Sequence, residues 1–198
     1  MNKEKTFAYI AGAAALLNVT INIINLIIAF FSTPESINFP PLVLLFWISL
    51  TALGIMLFMR KIHIGLVFPI LWFVLEGPIA FFTSETYYRT FYSWVQTIGW
   101  AFMLVFVILA VQYKPGQTLE YLNTLAIIPC LFFAFSGVAE YWEYHMYEFR
   151  FSWGFFSFFV RSVLMQFIIT LFMGLWIREK LKTISLTTVP TEQTQLPQ

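Results

Sequence analysis

Two acids, one arginine and a few amides are the residues of this chain best placed to do chemistry within a bilayer. Glu76 stands in LWFVLEGPIAFF, Arg161 in FFVRSVLMQF, and Glu140 at the start of the aromatic-rich stretch EYWEYHMYEFR. An ionisable side chain at the centre of a membrane helix costs about 2.5–3.5 kcal/mol on insertion scales, so each is read first as functional. Two carboxylates at one substrate could serve as general acid and base if their surroundings separated their pKa values. A carboxylate and a guanidinium could instead hold the polar head of an amphiphile, or simply lock two helices together. The expected geometry is an ion pair between Glu76 and Arg161, with Glu140 at the inner end of an otherwise interfacial rim of Tyr, Trp and Glu.

The amides point to the same region. Asn18, Asn22 and Asn25 follow one another at helical spacing and so form one stripe. Amides facing lipid would be costly, so the stripe is expected to face the bundle or a wet cavity, with interhelical packing the simpler use. Gln96 enters its helix near the outer end, Gln166 follows Arg161, and Ser157 precedes it by one turn. Trp72, Trp94, Trp100, Tyr141, Trp142 and Tyr144 could supply aromatic walls. Pro78, two residues after Glu76, removes a backbone donor, a disruption tolerated at membrane depth only against protein or water.

Other chemistries lack their residues. His63 and His145 fall at opposite ends of the expected bundle, so one haem cannot use both. No lysine lies within a span for a Schiff base. Glu140, Glu143, His145 and Glu148 lack the Glu-x-x-His spacing of bundle di-iron sites. Glycine-rich phosphate loops, nucleophile elbows and HExxH motifs are absent from the sequence. No metal and no cofactor are expected.

The elements that must position these groups follow from composition. Of 198 residues, 60% are hydrophobic and only 11% charged, against about 25% charged in ordinary globular chains. Too little polar surface remains to face water, so the expected fold is all-α, a polytopic membrane bundle. A spanning helix needs about 20 apolar residues, which gives six segments: 7–31, 41–59, 64–83, 93–113, 121–143 and 153–177. On these bounds Glu76 and Arg161 lie about 10 and 12 Å from the outer ends of their helices. Residues 1–183 form one domain on this reading, and 184–198 a polar, disordered tail. With the N-terminus inside, Lys3, Lys5, Arg60, Lys61, Lys114, Arg178, Lys180 and Lys182 are cytoplasmic, and Arg89 and Arg150 lie outside. This is the positive-inside pattern, with both termini cytoplasmic. It suits a bacterial inner membrane and equally an endoplasmic-reticulum or plasma membrane. The net charge of +1 gives no reason to expect nucleic acid. The single Cys130 excludes an intrachain disulfide.

Four strings, FVLEGPIAFF, WVQTIGW, SGVAEYWEYH and VLMQFIITLFMGLW, resemble, in the same order, helices of the emopamil-binding (EXPERA) superfamily. The resemblance covers residues 64–177 and leaves the first two helices as additions. It implies a compact helical core with a membrane cavity for sterols or cationic amphiphiles, lined at Glu76, Gln96 and Gln166. The chain departs from the family's sterol isomerases, which carry an acid where it has Gln96 and a histidine where it has Trp72. Proton shuttling requires positioned acid and base groups, so the resemblance implies a lipid-like ligand more than isomerase activity. Arg161 has no counterpart in the family pattern.

The expected function is binding of a lipid-like or amphiphilic small molecule in a polar, aromatic-walled cavity in the outer half of the bilayer. Its residues would be Glu76, Arg161, Glu140, Gln96, Asn22, Asn25, Trp72, Trp100, Tyr144 and Gln166. Two alternatives stand beside it: a lipid-modifying enzyme using Glu76 and Glu140, and an accessory subunit docked on a partner membrane protein. Six helices without repeats make an alternating-access carrier the weaker variant.

Overall fold

In a computed structural model of the chain, residues 3–32, 41–83, 90–115, 117, 120–146, 156–157 and 159–187 are described. They form six helices: α1 (Lys3–Ser32), α2 (Pro41–Met59), α3 (Val67–Thr83), α4 (Thr90–Gln112), α5 (Glu120–Met146) and α6 (Met165–Thr187). A 3-10 turn, Ile64–Leu66, leads into α3, and a π-helical turn, Val160–Leu164, leads into α6. No strand occurs among the described residues. Four helical stretches are long and apolar enough to cross a membrane: Lys3–Phe31, Ser93–Gln112, Glu120–Ala139 and Val160–Leu186. The apolar parts of α2 and α3, Val43–Met59 and Ile64–Ile79, are shorter.

The expected segments need adjusting at their ends. Polar residues join the helices where the backbone gains from continuing, so α1 begins at Lys3 and α6 runs through Arg178–Lys182 to Thr187. The stretch expected as a tail from 184 is therefore helical in its first residues. Pro78 does not end α3: the helix continues through it to Thr83. Between α2 and α3, Arg60 takes a left-handed φ of 56°, the conformation that commonly ends a helix. The His63 imidazole then accepts the Gly65 N–H at 3.0 Å and starts the 3-10 turn.

Each helix packs on its neighbours in the chain, and α6 closes on α1, so the six form a ring in sequence order. In that ring α3 stands opposite α6. The close approaches fall at small residues, which let helix backbones come near each other. Gly12 of α1 lies against Gly54 and Phe58 of α2, Gly77 of α3 against Thr97 of α4, and Gly174 of α6 against the Ala126 carbonyl of α5. A methyl group at position 77 would overlap the Thr97 hydroxyl outright. Phe73, Trp100, Met103, Phe106, Phe133, Ile169, Met173 and Trp176 fill the middle and are essentially inaccessible.

One end of the ring carries the basic residues together. Lys180 of α6 reaches Glu4 of α1 at 3.7 Å and donates to the Arg60 carbonyl at the end of α2. Arg60 lies over the Tyr9 ring at 5.9 Å, and Lys180 over Trp176 at 5.7 Å. The start of α1 and the end of α6 are therefore at the same end of the bundle. The pair Arg178–Glu179 at 3.1 Å and the pair Lys182–Glu179 at 3.3 Å decorate the same region.

Candidate functional site

Away from the basic end, a hydrogen-bonded network ties three helices at one level. Asn18 Nδ2 of α1 donates to the Arg161 carbonyl at 2.9 Å, and Arg161 Nη1 donates to Asn22 Oδ1 at 2.7 Å. Asn22 Nδ2 in turn donates to Asn18 Oδ1 at 2.9 Å. Arg161 Nε donates to the Ser157 carbonyl at 3.2 Å, and Asn25 Nδ2 to Ser157 Oγ at 3.0 Å. From α4, Gln96 Nε2 donates to the Ser162 carbonyl at 2.5 Å. The stripe of asparagines thus faces the bundle, as its spacing predicts, and packs against the start of the last helix.

The π-helical turn explains why the network gathers there. An i→i+5 turn is wider than an α-turn and is frequent at functional sites. Met165 N–H closes it on the Val160 carbonyl. The carbonyls of Arg161 and Ser162 inside the turn each take a side-chain amide from a different helix. Along α6, Arg161 lies about 24 Å from Ile177 at 1.5 Å per residue, which puts the turn in the half of the bundle remote from the basic end.

Glu76 joins this level through α4. Gly77 touches Thr97, and the adjacent Gln96 reaches Ser162. The ion pair expected between Glu76 and Arg161 is not formed, however, because the two side chains come from opposite walls of the ring. Arg161 turns to α1 and Asn22. Among the described residues Glu76 makes no hydrogen bond or ion pair, and it is exposed.

That exposure is not on the outward face of α3. The outward face carries Phe68, Leu71, Leu75 and Phe82, all exposed. Glu76 continues another stripe with Pro69 and Trp72, at spacings of three and four residues, on the flank of the spine Leu66–Ile70–Phe73–Gly77. Along this stripe Pro69 is buried, Trp72 half-buried and Glu76 exposed. The same opening occurs on α1, where Ala15 and Asn18 are buried but Asn22 and Asn25 only half so. On α4, Met103 and Trp100 are buried and Gln96 is half-buried. On α6, Gln166 is 4% exposed, while Ser162 and Arg161 are half-buried. On the inward faces of α1, α4 and α6, and on the flank of α3, burial thus decreases towards the same end, above a dry layer.

That dry layer is aromatic. Trp100 packs on Phe73 at 4.5 Å and on Phe133 at 5.3 Å between ring centroids, bridging α3, α4 and α5. Gln166 is buried beside this layer, and its Oε1 has no hydrogen-bond partner. The Trp72 indole N–H is likewise enclosed and unpartnered. Trp94, Tyr141 and Trp142, expected as walls, are instead exposed on the perimeter at 40%, 53% and 67%. Such a position suits rings at headgroup level.

Helix–helix contacts fix the level of the remaining acid. Gly137 of α5 meets Val163, and Gly174 meets Ala126, an antiparallel register that brings position 140 level with Val160 and Arg161. It lies two turns beyond Phe133 on the same helix face. The side chains of Glu140, Glu143 and Tyr144 lie outside the described residues.

Asn18 and the carbonyl of Ser162 join the site without having been singled out as binding residues. Asn18 had its place in the asparagine stripe as a signal. Ser162 had none, because its role is that of a backbone carbonyl in an irregular turn. Comparison with known proteins returns no matching family model, no matching curated protein and no matching solved structure.

Proposed function

We propose that the protein is a six-crossing integral membrane protein, both termini on the basic cytoplasmic side, that binds a lipid-like or amphiphilic small molecule. The ligand occupies the open end of the ring, in the outer half of the bilayer. One observation carries this reading: a partly accessible polar layer, with Asn22, Gln96 and Arg161 half-buried and Glu76 exposed, lies directly above a closed aromatic layer. A polar head fits the first and an apolar body can lie against the second and the adjoining Trp72. The inward Gln166, with an acceptor to spare, and Glu140, at the level of Arg161, are the further residues assigned to it. The likeness of residues 64–177 to the emopamil-binding superfamily points the same way through Glu76, Gln96 and Gln166.

A second reading is favoured by the saturation of the amides: the network is a helix lock and nothing more. Interhelical hydrogen bonds in membranes average about 0.6 kcal/mol each, so a lock of this kind would set register more than stability. Titration of the purified chain with single-chain amphiphiles, followed by tryptophan fluorescence, separates the two. Saturable binding, weakened about tenfold or more in Glu76→Gln, is the expected result. Linear partitioning alone, equal in wild type and variant, would leave only the lock.

A further inference from the structure

Charge is spread unevenly around the basic end of the ring. On the α6 wall cations meet acids: Lys180 reaches Glu4 at 3.7 Å, and Glu179 takes both Arg178 at 3.1 Å and Lys182 at 3.3 Å. On the α1–α2 wall they do not. Lys5 stands four residues before Tyr9, on the same face of α1. Arg60 lies over the Tyr9 ring at 5.9 Å, with Lys61 next in sequence. Lys5 and Lys61 are exposed. Among the described residues none of these three cations is paired with a carboxylate, and Arg60 Nε is enclosed without a hydrogen-bond partner. Glu4, the neighbouring acid, is turned to Lys180.

Towards the middle of the bundle the same wall is apolar and open. Tyr9 meets Phe58 at 5.5 Å between ring centroids, and Gly12 lies against Gly54 and Phe58, so α1 and α2 run side by side in close contact. Along this seam Tyr9 and Leu17 of α1 and Phe58 and Ile55 of α2 are exposed at 44%, 49%, 39% and 51%. Unpaired cations above an exposed apolar seam are the complement of an anionic head above acyl chains.

From this arrangement we infer that the α1–α2 seam at the basic end is a site for an anionic phospholipid. Its phosphate is held by Arg60, Lys5 and Lys61, and its acyl chains lie along Tyr9 and Phe58. The inference rests on the membrane placement proposed above and not on the ligand site, which lies at the other end of the bundle. In that placement the seam faces the cytoplasmic leaflet, whose anionic lipids attract basic residues near the surface. The planar Arg60 guanidinium matches phosphate oxygens and is held over the Tyr9 ring. Lys5 and Lys61 add attraction as hydrated point charges without fixing geometry. A zwitterionic lipid would bring its own ammonium among three cations, so a phosphate without one is preferred.

The test is native mass spectrometry of the full chain in a neutral maltoside detergent, with equal amounts of dioleoyl phosphatidylglycerol and dioleoyl phosphatidylcholine. Wild type is expected to retain phosphatidylglycerol about tenfold or more over phosphatidylcholine. A basic residue near a lipid surface is worth about a factor of five, so Lys5→Gln and Lys61→Gln should each lower that ratio about fivefold. Arg60→Asn should lower it at least as much, asparagine being a residue that accepts the left-handed φ of 56° at this position. Lys114→Gln is the control. It removes an exposed cation at the same end, just after α4 and across the ring from α1, and should leave the ratio unchanged. Should Arg60→Asn not fold, the two lysine variants decide, since both side chains are exposed and unpaired among the described residues.

Equal retention of the two lipids by wild type overturns the inference. So does an equal loss in Lys114→Gln, which would mean attraction by the net charge of the whole end. A lipid-free dimer that is lost in Lys61→Gln would give the seam to a second copy and overturn it as well. None of these outcomes touches the amphiphile site, whose binding is read separately by tryptophan fluorescence in Glu76→Gln.

Discussion

Arg161 and Asn22 show how much one residue's surroundings decide here. A guanidinium is always charged, and its planar fork needs acceptors in fixed directions. Asn22 Oδ1 at 2.7 Å supplies one of them from another helix. Asn25 makes a neutral contact, to Ser157 Oγ at 3.0 Å. Replacing each by leucine should therefore cost different amounts. Asn22→Leu removes an acceptor from a half-buried charge and is expected to destabilise by about 1.5–3 kcal/mol, Asn25→Leu by about 0.5–1 kcal/mol. Thermal unfolding of both variants in detergent reads the order directly. Equal losses would mean that the Asn22 contact carries no charge-assisted strength. Candidate residues were legible in the sequence at this scale because polar groups inside long apolar runs are rare. Their partners were not: proximity in depth suggested Glu76 for Arg161, whereas the direction of each side chain gave Asn22.

Among the elements, the π-helical turn Val160–Leu164 has the largest consequence for the site. It holds one residue more per turn than the α-helix that follows, which rotates Arg161 relative to α6. The contact Phe7–Phe172 at 5.9 Å, lower on the same α1–α6 interface, is independent of that rotation. Deleting Leu164, 41% exposed, should convert the turn to α-helix and swing Arg161 by about 100° away from Asn22. The expected variant keeps its helical circular dichroism but loses saturable amphiphile binding. Wild-type binding by it would show that the turn does not shape the site. Helix positions were legible from apolar runs to within a few residues, with larger errors where polar residues continue a helix, as in α6. The π-turn was not legible, since VRSVL holds no residue that demands it. The motif around Glu76 divides in the same way. EGP read as a disruption, yet Gly77 serves the close approach of α3 to Thr97, and the proline is carried within the helix.

At the scale of the molecule, the ring and the clustering of basic residues at one end make a topology prediction. In a Cys130→Ala background, cysteines at positions 3, 61 and 114 should resist a membrane-impermeant maleimide applied to intact cells, while cysteines at 32 and 90 should react. This alternation requires α2 and α3 to cross despite apolar stretches shorter than those of the other four helices. Labelling at 61 from outside would instead make α2 and α3 a hairpin that fails to span.

The sequence by itself determined the all-helical class, the number of helices and the end at which the basic residues gather. These follow from local quantities: the length of each apolar run sets its helix, and the placement of lysine and arginine marks the ends. Tertiary structure decided which wall each charged group occupies and which partner it takes. That outcome depends on the rotation of each helix about its own axis. The rotation is fixed by glycine contacts between helices and by one wide turn before α6, and no local pattern in the chain encodes either.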